Sequence, residues 1–228
     1  MLKGLPYERQ KFSQNGEDGI LEYLIQFTNK KSFLEIGWGN GTVNNCRNLH
    51  ERHGFSGTGI DSLPQKHAQK HSRVQFVRKH LTIDDAEFCT KLEGLSPAVF
   101  SIDIDSIDFH LLRAMLELKF RPDIIVHEYQ SIWPIEYSKV RKLDASFERT
   151  FNYGASLSAY KKLLTKHYYT FVTCDSMGVN AFWIRDGIPF DMPEQRHEYV
   201  RLNKKYKAGK YPWTYYLPKI DNGWEDYE

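Results

Sequence analysis

The 228-residue sequence is poor in cysteine, with only Cys46, Cys89 and Cys174, far apart and without C-x-x-C spacing. An odd, scattered set makes no disulfide framework and lacks the paired spacing of a structural zinc site, which suits a reducing compartment. Long apolar runs are also missing. Nothing is long enough to span a bilayer, and the opening Met-Leu-Lys-Gly-Leu-Pro carries no signal-like stretch, so a cytoplasmic protein is expected. Charge of one sign is lacking too: 31 Lys and Arg against 29 Asp and Glu leave +2 at pH 7. That balance argues against a chain that grips nucleic acid over its whole surface. There is no fixed-period repeat and no low-complexity segment, which excludes solenoids and arrays.

What is present reads as one globular domain, with 41% hydrophobic and 26% charged residues. Strand-like and helix-like segments alternate, the signature of a parallel sheet with helices on both faces. The first element is a helix. Ser13 or Asn15 is placed to cap it, Glu17 and Asp18 fall in its first turn, and Ile20, Leu21, Leu24, Ile25 and Phe27 form its apolar stripe. Strands are expected at Ser32–Ile36, Gly57–Ile60, Val74–Val77, Ala98–Ile102 and Asp123–His127. Tyr169–Cys174 and Asn180–Arg185 read as a closing pair joined by Ser176-Met177-Gly178. Helices are expected over Val43–His53, Ile83–Leu92, Ile107–Leu118 and Ser156–Lys166, and Ser131–Asn152 reads as a loop or short helix over the sheet edge.

The pattern changes near Pro189, dividing the chain into a domain over 1–188 and a tail over 189–228. In the tail, Arg196, Arg201, Lys204, Lys205, Lys207 and Lys210 precede the aromatic run Tyr211-Pro212-Trp213-Thr214-Tyr215-Tyr216. Such a tail reads as a solvated helix whose following rings lie on the domain, or as a lid or homo-oligomer contact.

The most specific local signal is Phe33-Leu34-Glu35-Ile36-Gly37-Trp38-Gly39-Asn40-Gly41. A strand ends beyond an acidic residue, and three alternating glycines lead into a helix, so that backbone can approach a cofactor closely. Asp61 ends the second strand about twenty residues on, the spacing at which a carboxylate holds both ribose hydroxyls of an adenosine. A dinucleotide fingerprint, G-x-G-x-x-G, would place its third glycine at Thr42. The E-x-G-x-G-x-G pattern instead suits a cofactor without phosphate, and Glu35 favours the cationic methionine end of S-adenosylmethionine. Glu35, Gly37, Gly39 and Gly41 are expected to shape that end with Gln14 as a helper, while Asp61 holds the ribose. The adenine is expected against His80-Leu81-Thr82 and Asp84.

With these stand Ser13-Gln14-Asn15-Gly16-Glu17-Asp18, Asn44-Asn45, Ser101-Ile102-Asp103-Ile104-Asp105, His127-Glu128-Tyr129, Gly154-Ala155-Ser156-Leu157 and Gly178-Val179-Asn180-Ala181-Phe182. In this order the motifs resemble the FkbM type of class I S-adenosylmethionine-dependent methyltransferase, from Ser13 to about Arg185. The resemblance implies a Rossmann-like α/β fold, with a seven-stranded, mostly parallel sheet whose last strand is antiparallel and helices on both faces. It also implies O-methylation of a hydroxyl on a glycan or small molecule. Ser106 and Gln130 depart from it, where relatives usually have glycine and asparagine.

Asp103 and Asp105 end the fourth strand and Glu128 the fifth, and the carboxyl ends of neighbouring parallel strands share one crevice. Asp103 is therefore also expected beside the cofactor. One of the three carboxylates, or after them His127, is expected to take a proton from the acceptor hydroxyl, or the three carboxylates to hold a magnesium or manganese ion. Alternatively, Asp105 or Ser106 caps the next helix and Glu128 pairs with an arginine. Asp-Ile-Asp after a strand is also the metal motif of nucleotide-sugar glycosyltransferases. A non-catalytic adenosine-binding protein is a third reading. His127 alternates with Glu128 and is expected to face the other way.

Overall fold

The computed structural model describes residues 5–64, 73–146, 152–200 and 220–228. β1 (Ser32–Ile36) is buried along Phe33–Ile36, as a strand covered on both faces must be. It pairs in parallel with β2 (Ser56–Asp61) and with β4 (Val99–Ile102). β3 (Val74–Arg78) lies outside β2, and β5 (Ile124–Glu128) outside β4. β7 (Tyr169–Cys174) and β8 (Asn180–Arg185) close the sheet, with β8 inserted antiparallel between β5 and β7. The strand order is β3-β2-β1-β4-β5-β8-β7. This is the Rossmann-like sheet, with its last strand antiparallel, that the motif order implies.

Two apolar clusters cover the two faces. Alternate residues of one strand point to opposite sides, so Phe33, Val99, Ile124 and Val126 meet α1 (Glu17–Leu24) through Ile20, Leu21 and Leu24. Leu34, Phe100 and Ile125 face the other way, onto α3 (Ala86–Leu92), α4 (Asp108–Glu117) and α5 (Leu157–Lys166). Between β1 and β2 the packing is tight. A Cβ on Gly59 would lie 2.6 Å from the Trp38 ring, which explains a glycine inside a strand.

Several local expectations are corrected. α1 has Gly16 at its N-cap with a φ of 114° and no side-chain cap. Ser13 instead accepts the Asp18 N–H at 3.1 Å and donates to the Asp18 carboxylate at 2.8 Å. The second helix, α2 (Arg47–His53), begins later than expected because Val43–Cys46 is a loop. The stretch Ile83–Leu92 splits into a 3-10 turn at Ile83–Asp85 followed by α3. The Ser131–Asn152 segment contains a strand, β6 (Lys139–Arg141), paired antiparallel with β9 (Trp224–Asp226). The buried Arg141 guanidinium pairs with Asp221, and Trp224 packs edge-on against Trp133 at 5.2 Å. The residues from Arg201 to Tyr216 lie outside the described residues. No helix among the described residues is long and apolar enough to cross a membrane.

The end of β1 meets the end of β4 with no room between them. A Cβ on Gly37, whose φ is 93°, would fall 1.7 Å from the Asp103 carbonyl oxygen. The close approach that requires this glycine is therefore between two protein backbones. Gly39, at φ 62°, has nothing nearer than 3.9 Å. Gly39→Ala should therefore cost only the left-handed backbone penalty, about 1–2 kcal/mol. Gly37→Ala must push β1 and β4 apart and should cost more than about 3 kcal/mol or prevent folding. Urea denaturation of both variants checks this, and equal losses would contradict it.

Candidate active site

The crevice opens at the carboxyl ends of β1 and β4, where the sheet's connections diverge in opposite directions, the place at which open α/β sheets take ligands. It encloses about 330 Å³ of empty space, counted out to open solvent, and is lined from several directions. β1 and its loop supply Glu35, Gly37, Val43, Asn44 and Asn45; β4 supplies Asp103; β8 supplies Asn180; the segment entering α1 supplies Gln14 and Glu17. Three of these residues are acids, and no lysine or arginine is among the described residues lining it.

Glu35 is buried, and its two oxygens accept the backbone N–H groups of Asn45 and Cys46, each at 2.8 Å. It therefore pins the loop that leads into α2. Burial raises its carboxyl to about 7 from an ordinary 4.5, against the opposing pull of the two N–H donors. Asp61, half-buried, accepts the Gly39 N–H at 2.7 Å on one oxygen and the Leu63 N–H at 2.8 Å on the other. It holds the glycine loop against the end of β2, and neither Asp61 nor Gly39 is among the residues lining the crevice. Gly41 is a third positive-φ position of the same loop, at 80°.

Asp84 is not among the residues lining the crevice. It is exposed on the 3-10 turn, and the carboxylate engaged there is Asp85, which accepts the Thr82 N–H at 3.0 Å. His80 is exposed beside it and Leu81 is buried.

Asp103, Asp105 and Glu128 do come together: each offers an oxygen within 4.8 Å of the others. Asp105 sits at φ 53°, a left-handed conformation that aspartate tolerates better than most residues. Burial and then the neighbouring Asp108 and Asp105 carboxylates raise Asp103 to about 7. Burial, then Asp103, Asp105 and Asp108, raise Glu128 well above the usual range. One Glu128 oxygen accepts the Tyr153 hydroxyl at 3.0 Å, and the other is buried without a partner. The helix-capping alternative is not seen, because α4 has Ile107 at its N-cap and no side-chain cap. Asp108, in the first turn of α4, accepts the Ile104 and Ser106 N–H groups at 2.7 and 2.9 Å. His127 faces away, stacked on Tyr160 at 3.6 Å and accepting the Trp183 indole N–H at 2.9 Å.

Gln14, Glu35, Gly37 and Asp103 are thus brought to one crevice, and Asp103 joins it to the carboxylate cluster. Glu17, Asn180 and Tyr153 were not anticipated as site residues. Glu17 reads in the sequence as an ordinary first-turn acid, and the motifs around Asn180 and Gly154 carried their only signal.

No protein-family model matches the sequence, and no curated protein is found to resemble it. Solved structures do resemble the chain. One is a Lactococcus lactis protein named as a hemolysin, at 14% identity and a TM-score of 0.49, covering 78% of this chain and 91% of that one. Another is the N-terminal domain of EvdMO1, crystallised in the presence of S-adenosylhomocysteine and D-fucose, at 11% identity and 0.46, covering 81% and 88%. A third is an O-methyltransferase family protein from Burkholderia thailandensis, at 14% and 0.44, covering 73% of this chain but 55% of that one. At these scores the likenesses carry no argument about what this chain does.

The raised Glu35 carboxyl has a consequence for stability. Because the folded chain holds this proton more tightly than the unfolded one, its contribution is fully present below pH 4.5. It is lost as pH rises through about 7. The difference amounts to about 3 kcal/mol. Urea denaturation across pH 4.5–8 should show this fall, and Glu35→Gln should remove that part of the slope. The same pH dependence in the variant would contradict it.

Proposed function

We propose that the chain is an S-adenosylmethionine-dependent methyltransferase of the FkbM type that methylates a hydroxyl of a glycan or small molecule. The observation that carries this reading is the charge of the crevice. Glu17, Glu35 and Asp103 line it with four amide side chains and no described cation. A pyrophosphate would meet carboxylates there, whereas a sulfonium and an ammonium meet complementary charge. Each oxygen of the Asp61 carboxylate accepts one backbone N–H, from Gly39 and Leu63, and each has a further lone pair for a ribose hydroxyl.

In this reading the acceptor oxygen attacks the methyl carbon, the carbon–sulfur bond breaks, and the sulfonium leaves as a neutral thioether. The hydroxyl proton passes to the cluster of Asp103, Asp105 and Glu128, with Asp105 and Glu128 on the acceptor side. A carboxyl raised to about 7, as at Asp103, is matched to accepting a proton at neutral pH. The same three residues fit a magnesium or manganese ion, since all offer hard oxygens and one Glu128 oxygen is buried without a partner. When bound, such an ion would lower the pKa of a hydroxyl on it. Displacement at carbon depends mainly on alignment, which the packed seam between Gly37 and Asp103 would supply.

The Asp103, Asp105 and Glu128 cluster also favours a second reading, a metal-dependent nucleotide-sugar glycosyltransferase. That reading leaves the glycine loop and Asp61 without a role. A non-catalytic adenosine-binding protein would share the crevice and lack turnover.

Calorimetry should give tighter binding of S-adenosylhomocysteine than of NAD, and Asp61→Ala should weaken it by about 1–3 kcal/mol. With a hydroxyl acceptor, turnover should release S-adenosylhomocysteine. Asp105→Asn and Glu128→Gln should lower that rate about a hundredfold or more while leaving cofactor affinity intact. Loss with EDTA and recovery with magnesium or manganese would mark the metal version. Stronger binding of NAD, or release of a nucleoside diphosphate, would overturn the proposal.

A further inference from the structure

β4 and β5 run as partners until they reach the carboxylate cluster, and there they part. Their ladder is parallel, with Ile102 opposite His127, and the Ile124 N–H donates to the Ala98 carbonyl. Peptide groups alternate in direction along a strand, so the Glu128 carbonyl is turned toward β4. A continued ladder would bring it the Ile104 N–H. That bond is not made. The Asp103 N–H donates to the Ile36 carbonyl of β1, and the Ile104 N–H donates to the Asp108 carboxylate at 2.7 Å. The parting makes room for the side chains of Asp103, Asp105 and Glu128 to meet, and it deprives the Glu128 carbonyl of its ladder donor.

His127 supplies the missing donor. Its Nδ1 lies 3.0 Å from the Glu128 carbonyl oxygen, and its Nε2 lies 2.9 Å from the Trp183 indole nitrogen. An indole N–H only donates, so Nε2 accepts, and the ring hydrogen sits on Nδ1, aimed at the carbonyl. The ring is fully buried and stacked on Tyr160 of α5 at 3.6 Å. It is therefore held by β8 and α5, and it ties both to the residue that follows it in β5. A ring that only filled the core would need neither nitrogen. This one uses both, one as donor and one as acceptor, a pair that only imidazole offers. The Glu128 carboxylate accepts the Tyr153 hydroxyl at 3.0 Å, and its place in the cluster depends on the backbone that carries it.

We infer that His127 is a positioning residue: by occupying the Glu128 carbonyl where β4 and β5 separate, it sets the Glu128 carboxylate in the cluster with Asp103 and Asp105. The chemistry of that cluster rests on the methyltransferase reading above; the placement of Glu128 does not. Asp108 has the corresponding task on the β4 side, where it takes the Ile104 N–H that the ladder releases.

Two variants separate positioning from packing, and crystal structures of both read where the Glu128 carboxylate lies. His127→Phe keeps a ring against Tyr160 and has no nitrogen. His127→Asn loses the ring and keeps an N–H where Nδ1 stands. Positioning predicts that His127→Phe moves the carboxylate off Tyr153 by about 1 Å or more, a misplacement that costs a positioned group about a hundredfold in rate. His127→Asn should keep it in place. A ring that only packs predicts the reverse. Glu128 unmoved in His127→Phe, or moved alike in both variants, would overturn the inference. Should a variant fail to fold, nitrogen NMR of the wild-type imidazole decides: the hydrogen is expected on Nδ1, and a hydrogen on Nε2 would overturn the inference. Calorimetry with S-adenosylhomocysteine tests the methyltransferase reading separately, with equal affinity expected in the wild type and both variants. No binding to the wild type would overturn that reading and leave the position of Glu128 to decide this one.

Discussion

The contact on which the site depends is the one between the backbone after β1 and the backbone after β4. The Asp103 N–H donates to the Ile36 carbonyl at 2.9 Å, and Gly37 lies so close to the Asp103 carbonyl that no side chain fits. The two strands therefore end together, and their following loops must part in opposite directions, one toward α2 and one toward α4. The crevice is the space left between them. Both the glycine loop and the carboxylate cluster take their positions from this seam.

A second constraint orders the rim. Loop after loop at this end of the sheet is folded around a carboxylate that accepts backbone N–H groups. Asp18 takes those of Lys11, Phe12 and Ser13, and Glu35 those of Asn45 and Cys46. Asp108 takes Ile104 and Ser106, and Asp175 takes Met177, Val179 and Asn180. Such bonds satisfy buried donors in segments that have no ladder to join. They also leave the acids fixed and unable to swing toward a ligand. Asp103 and Glu128 differ: they lie together with Asp105, and burial and their mutual charge raise both carboxyls above the usual range.

The sheet was legible because its strands are buried runs with sharp ends. Tyr169–Cys174 and Asn180–Arg185 appear with the limits their residues suggest. β6 was not legible, since three residues with two cations make no pattern and the partner strand lies more than eighty residues away. The start of α2 was misplaced because Asn44 and Asn45 look compatible with a helix, while Glu35 and Trp38 hold them in a loop. The convergence of Asp103, Asp105 and Glu128 followed from strand ends alone. Glu17 and Asn180 could not be paired from the sequence, because their meeting requires β8 to run antiparallel beside β5 and present its first residue at the crevice.

The central claim is that this crevice takes the sulfonium cofactor with its charged end inward. A crystal structure with S-adenosylhomocysteine tests it most directly. The account predicts the sulfur above Gly37, the ribose hydroxyls on Asp61, and the charged amino-acid end in the crevice lined by Glu17, Glu35 and Asp103. A ligand bound elsewhere, or in the crevice with its adenine rather than its amino-acid end among these carboxylates, would contradict it.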